Sequence, residues 1–188
     1  MVSKPLIMAS LIGFYIANVT KQSPLFILAM IFALLGDIFL MFKDESFFLI
    51  GLGSFMLMQI LYAITFLKDK GPDMQKNILK SVPVITIAVI IMFLLWDKLG
   101  AMQIPVAVYT AAISWMVISA LIRNTSVKWY LPVGGGAFLF MVSDAGIAVN
   151  KFGNNFAYAD YFIMSTYMIA QYLIVRGVVE RDVQSSVH

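Results

Sequence analysis

The chain contains no cysteine, so a disulfide, a thiolate metal site and a cysteine nucleophile are all excluded. Histidine occurs once, as the final residue His188, and reads as the remnant of a purification tag. Histidine-ligated zinc and serine–histidine catalysis drop out with it. Charge is scarce too: charged residues make up 12% of the chain and the net charge is only +3. No basic stripe with interleaved aromatics is present, so nucleic acid is not an expected partner. What remains for chemistry is carboxylates, hydroxyls, amides and a few basic groups. No metal and no cofactor is expected.

Hydrocarbon is what the chain has in plenty. Apolar residues reach 61% and the mean hydropathy is +0.90, whereas soluble domains are roughly 45–50% apolar and a quarter charged. A helix needs about 20 mainly apolar residues to cross the hydrocarbon core of a bilayer. Seven segments qualify: 5–20, 24–42, 47–67, 78–96, 101–122, 129–150 and 157–179. Polar loops such as "KDKGPDMQKN" and "RNTSVK" separate them. Pro24, Pro83, Pro105 and Pro132 all fall near helix starts, where the missing N–H does no harm. The opening apolar stretch follows a single lysine and lacks a small-residue cleavage pattern, so it is expected to be a retained helix. The expected fold is all-α, a polytopic transmembrane bundle of about seven spans forming one domain over 1–188.

Alternate loops can then be sorted by charge. Lys4, Lys43, Lys98 and Lys151 fall on one side; Lys21, Lys68, Lys70, Lys76, Lys80, Arg123, Lys128, Arg176 and Arg181 fall on the other. The positive-inside rule puts the richer side in the cytoplasm. An integral multi-pass protein with a cytoplasmic C-terminus follows, in the plasma (inner) membrane if the cell is bacterial. Surrounding membrane lipids are its first partners, while the sequence leaves the oligomeric state open.

Two carboxylates interrupt the apolar runs. Asp37 lies in "ALLGDIFLMFK" and Asp144 in "LFMVSDAGIAVNKF". Each precedes its helix-end lysine by six or seven residues, hence by roughly 10 Å of helix, so the acids sit at matched depth. An aspartate is too short to reach the interface, and insertion scales assign about 2.5–3.5 kcal/mol to one in mid-membrane. Such a residue is a candidate site. Gln59 and Tyr62 share a face of the third segment, as Tyr167 and Gln171 do in the seventh. Tyr109 and Thr110 lie at compatible depth in the fifth, and Asn18 near the inner end of the first. Together these outline an internal polar pocket, although each alone reads as an interhelical hydrogen bond. "VGGGAF" lacks the Lys-Ser/Thr of a phosphate loop and reads as close helix packing.

The strings "KPLIM", "LLGDIFLM" and "GLGSFMLMQILYAITF", followed by "YTAAISWM", "GGGAFLFMVSDAGIAVNKF" and "MSTYMIAQYLIVRG", resemble in order the blocks of the YhhN family. That family of multi-pass membrane proteins includes the animal lysoplasmalogenases. Its members usually carry one more helix ahead of the Lys-Pro block, and many have histidine where Gln59 stands. The resemblance implies hydrolysis of the vinyl-ether bond of lysoplasmalogens or a related lysolipid, releasing a fatty aldehyde and a glycerophospho-base. It assigns catalysis to Asp37 and Asp144 and substrate contacts to Lys4, Tyr62, Tyr167 and Gln171; Gln59 and Tyr109 join the expected substrate contacts through their depth in the bundle alone.

That chemistry suits the residues available. A vinyl ether hydrolyses by protonation at carbon, which yields an oxocarbenium ion that water traps as a hemiacetal. Glycosidases meet a related demand with two carboxyls, one protonated and one ionised, and an acid in a low-dielectric site keeps its proton near neutrality. Lys4, Lys43 or Lys151 would meet the lipid phosphate as point charges. The alternative is a small proton- or cation-coupled transporter or a lipid-binding membrane protein using the same paired acids. A plain structural bundle is the third reading.

Overall fold

The computed structural model describes residues 3–42, 44–68, 78–123 and 129–185. Lys43, Lys70, Lys76, Lys128 and His188, invoked above, lie outside the described residues. The described residues form seven α-helices: α1 (Ser3–Asn18), α2 (Pro24–Phe39), α3 (Glu45–Leu67), α4 (Ser81–Leu99), α5 (Gln103–Leu121), α6 (Tyr130–Phe152) and α7 (Ala159–Ser185). They contain no strand.

Local chemistry sets several of the boundaries. Pro24 occupies the first turn of α2, and Asp44 caps α3 by accepting from the Ser46 N–H at 2.8 Å. Gly100 turns α4 back into α5 with a φ of 53°, a left-handed conformation that glycine adopts without cost. Thr110 Oγ1 then donates to Met92 Sδ across this hairpin at 3.4 Å. Most ends shift by one to three residues from expectation, and two of the shifts have a visible local cause. The helix α2 stops at Phe39 rather than 42, where the chain tightens into i→i+3 turns from Ile38 and Phe39. The helix α7 runs to Ser185 rather than 179 because its last polar turns are packed inside: the Arg181 Nε–Asp182 Oδ1 pair is 2.7 Å long and Tyr15 donates to Asp182 Oδ2 at 2.6 Å.

Glu45–Leu67, Tyr130–Phe152 and Ala159–Gln184 are each long and apolar enough to cross a membrane. So is the 41-residue stretch Ser81–Leu121, which the Gly100 turn divides into α4 and α5. At 16 residues each, α1 and α2 are shorter, roughly 24 Å. The outward face is hydrocarbon: Phe93 is 82% exposed, Leu131 76% and Ile104 75%. A soluble monomer would not carry such a surface. This is an integral multi-pass membrane protein.

Successive helices alternate in direction. Helices α1, α2, α3, α5, α6 and α7 close a ring in that order, with α7 returning to α1, and α4 leans against α5 and α6 from outside. Glycine sets the tightest contact, between α6 and α7. A Cβ on Gly136 would lie 2.8 Å from the Ala170 carbonyl oxygen, and one on Gly177 2.5 Å from Val133 Cγ2. "VGGGAF" is therefore a packing seam. Gly136→Ala should destabilise the bundle by about 1–3 kcal/mol, the usual cost of overpacking. Gly135→Ala, whose Cβ would meet open space, serves as the comparison. A thermal-unfolding curve in detergent that left both variants equal would contradict the close approach.

Candidate active site

Each intramembrane acid is held by a tyrosine from another helix. Asp37, on α2, is 1% exposed, and its Oδ2 accepts from the Tyr167 hydroxyl of α7 at 2.7 Å. Its Oδ1 is buried without a hydrogen-bond partner among the described residues. Lys4, in the first turn of α1, places its ammonium 4.8 Å from the centre of the Tyr167 ring. Asp144, on α6, accepts at Oδ2 from the Tyr109 hydroxyl of α5 in a short hydrogen bond. Gln59 Nε2 lies 3.5 Å from the same oxygen. Lys4 and Asp37 both lie within electrostatic range of Asp144.

Helix α3 links the two halves. Gln59 faces Asp144, while one turn further on the Tyr62 hydroxyl donates to Gln171 Oε1 at 3.2 Å. The other end of the Gln171 amide points at Met58 Sδ, 3.5 Å away. Gln59, Tyr62 and Gln171 are fully buried, and Gln59 Oε1 has no partner among the described residues. Leaving such an acceptor unpaired costs about 1–3 kcal/mol. An unpaired Oδ1 and an unpaired Oε1 at one level of a membrane bundle are poor choices for stability alone.

The structure sorts these polar residues into two groups, and Gln59 and Tyr62, a pair by spacing, fall in different ones. Lys4, Asp37, Tyr62, Tyr167 and Gln171 form one group; Gln59, Tyr109 and Asp144 form the other. Thr110 instead serves the α4–α5 hairpin, and Asn18 Nδ2 bonds the Phe14 carbonyl of its own helix.

An apolar cavity opens beside the second group. Its volume is about 70 Å³, below the roughly 300–1,000 Å³ of a full small-molecule site, so it is a narrow cleft suited to a slender chain. Phe48, Leu95, Val106 and Phe152 lie toward the helix ends near the Gly100 turn; Phe55, Ala88, Ile113 and Met141 lie deeper. Asp144, Tyr109 and Thr110 supply the polar side chains of the wall. The wall does not include Asp37. Phe55 stands between, its ring 6.1 Å from that of Tyr167. The two acids are therefore unequal: Asp144 fronts the cavity and Asp37 backs it.

Sequence reasoning offered three lysines for a phosphate without choosing among them. Lys151 holds its ammonium 3.7 Å from the centre of the Phe48 ring and 5.8 Å from that of Phe152, both cavity residues. A readable signal existed. Seven residues separate it from Asp144, two turns of helix, which puts both on one face.

Comparison with known proteins gives the family. The YhhN family pattern matches residues 1–178. The chain belongs to the YhhN family. It is 33% identical over 176 residues to a human protein named lysoplasmalogenase TMEM86A, which covers 90% of this chain and 70% of that one. It is also 34% identical over 157 residues to the bovine protein of the same name, covering 80% of this chain and 63% of that one. The chain thus spans about two thirds of the length of these relatives. No solved structure matches it significantly. For a YhhN protein, the carboxylate–tyrosine pairs and the apolar cavity become the natural place to look for the chemistry named in those relatives.

Proposed function

We propose that this YhhN protein is a membrane hydrolase that cleaves the vinyl-ether bond of lysoplasmalogens or a related lysolipid. The observation that carries the reading is Asp144: it is the one carboxylic acid in the wall of an otherwise mostly apolar cavity. A hydrocarbon chain is at home against that wall, and its ether end would meet the acid. The names of the human and bovine relatives point to the same chemistry.

The reaction needs one proton donor, one water and a stabilised cation. Asp144 delivers a proton to the vinyl carbon remote from the ether oxygen, and the electron pair of the double bond forms the new C–H bond. The resulting oxocarbenium ion lies beside the carboxylate that gave up the proton, so the opposite charge that stabilises it is already in place. Water adds to the oxocarbenium carbon and loses its proton to Asp144, which restores the acid. The hemiacetal then collapses to a fatty aldehyde and a free glycerol hydroxyl. Tyr109 and Gln59 hold Asp144 Oδ2, leaving Oδ1 to face the lipid. Asp37 acts from behind Phe55 through its charge, with Lys4 and Tyr167 setting that charge's position.

The apolar wall favours this reading over a proton- or cation-coupled carrier, because an ion crossing the bundle would need polar ligands along its path. The C-terminus is read as cytoplasmic from the bias of lysine and arginine toward the loops on its side. A reporter fused there should be active inside the cell, and activity outside alone would reverse the orientation.

Incubating the purified protein with lysoplasmalogen should release one aldehyde per lipid cleaved, with no aldehyde from the saturated alkyl ether. Release should persist in EDTA, since among the described residues no three His, Cys, Asp or Glu side chains cluster to hold a metal. Absence of aldehyde from an otherwise folded, monodisperse preparation would reject the assignment.

A further inference from the structure

We infer that Lys151, seated on the Phe48–Phe152 ring pair at the cavity mouth, is the phosphate-binding residue of a lysophospholipid subsite whose distance from Asp144 selects the bond to be cut. The inference rests on the hydrolase reading above and adds what that reading lacks, a reason for a phosphate-bearing lipid. Lys151 lies in the last turn of α6, with its ammonium 3.7 Å from the Phe48 ring centre. The side chain is exposed, and among the described residues it makes no ion pair. Asp44, one turn before Phe48, is already engaged as the cap of α3. A ring face attracts the ammonium without using up its N–H donors, and a lysine ammonium binds phosphate as a compact point charge. A last-turn lysine also complements the helix dipole, but that effect requires no ring pair and no cavity beneath it.

The geometry supplies a ruler. Asp144 lies seven residues below Lys151 on the same face of α6, roughly 10 Å along the axis. In a lysoplasmalogen the phosphate and the vinyl carbon that takes the proton are joined through the glycerol backbone and the ether oxygen. Extended, that span is roughly 9 Å, from single bonds of about 1.5 Å. A phosphate at the rim therefore sets the vinyl carbon at the depth of the acid. Phe48 and Phe152 flank the glycerol on its way down, and the alkyl chain continues among the apolar residues below. Lys4 does not offer this register, because its ammonium rests on Tyr167, beside the acid that lies outside the cavity wall. The subsite recognises the phosphate and places no demand on the amine beyond it, so choline and ethanolamine lipids should both be accepted.

The test compares a lysoplasmalogen with the corresponding 1-alkenylglycerol, which has the same reactive bond and no phosphate. Wild-type protein should show the higher kcat/KM on the phosphate-bearing lipid. Lys151→Gln should shrink that preference about tenfold, mainly through KM, and Lys151→Arg should restore most of it. Lys98→Gln, which removes a charge whose ammonium lies over neither ring, should leave the preference as it was. Binding of a saturated 1-alkyl lysophospholipid, followed by intrinsic fluorescence, gives a readout independent of turnover. Lys151→Gln should weaken it about tenfold, while binding of the saturated 1-alkylglycerol should change far less. If the wild type cleaves neither vinyl ether, the hydrolase reading fails, and the binding comparison still decides the phosphate subsite. An equal loss on phosphorylated and unphosphorylated lipids, or no loss on either, overturns the inference.

Discussion

Asp144→Asn should lower aldehyde release from lysoplasmalogen by at least ~100-fold, the low end of losses on removing a general acid. The substitution isolates the proton. Asparagine keeps the shape of the side chain, and its carbonyl oxygen can still accept from Tyr109 and Gln59, the two groups that hold Asp144. A neutral amide is also easier to bury than a carboxylate, so the fold should be retained or slightly stabilised. The loss should appear in kcat rather than KM, because the lipid's contacts with the apolar wall are untouched. Tyr109→Phe is the informative companion. It removes the hydroxyl that orients the carboxyl and leaves the acid in place, so it should fall between wild type and Asp144→Asn. Near-normal turnover of a monodisperse Asp144→Asn protein would reduce the carboxyl to a structural hydrogen bond and end the proposed mechanism.

Much of this arrangement was legible before any coordinates, for physical reasons that differ residue by residue. The helices show in the sequence because a bilayer enforces the length of each apolar run, and Pro24 marks a start through backbone geometry alone. The pairings Gln59–Tyr62 and Tyr167–Gln171 follow from helical periodicity, which decides which side chains share a face. Periodicity does not decide which face meets which. That Tyr167 serves Asp37 while Tyr109 serves Asp144 depends on the order of helices around the ring and on α4 standing outside it. Local spacing does not encode that order. The same limit hid the inequality of the acids. Matched depth in the sequence implies one shared cavity, whereas Phe55, an ordinary apolar residue, stands between Asp37 and the cavity wall. The polar extension of α7 escaped because hydropathy stops at the first charges. Arg181 and Asp182 neutralise each other and stay inside.

Asp37→Asn tests whether the acid behind Phe55 belongs to the chemistry. Asp37 is absent from the cavity wall, so it does not touch the lipid and its loss should leave KM close to wild type. Its charge lies within electrostatic range of Asp144. In a water-poor bundle such a charge acts strongly on an oxocarbenium ion forming nearby, and removing it should lower kcat by at least ~100-fold. The Tyr167 hydroxyl can donate to the amide oxygen as it does to Oδ2, so α2 and α7 should stay joined. Tyr167→Phe separates the alternatives. If Asp37 matters only as a tether between helices, Tyr167→Phe should lower thermal stability, Asp37→Asn should not, and both should spare turnover in the cold. If its charge matters, Asp37→Asn should lose turnover with little change in stability, and Tyr167→Phe should lose less. Combining Asp37→Asn with Asp144→Asn should then cost far less than the product of the single losses, because groups that act on one transition state are not independent. Multiplicative losses would instead mean that the two acids serve separate purposes, and the pair would no longer form one site.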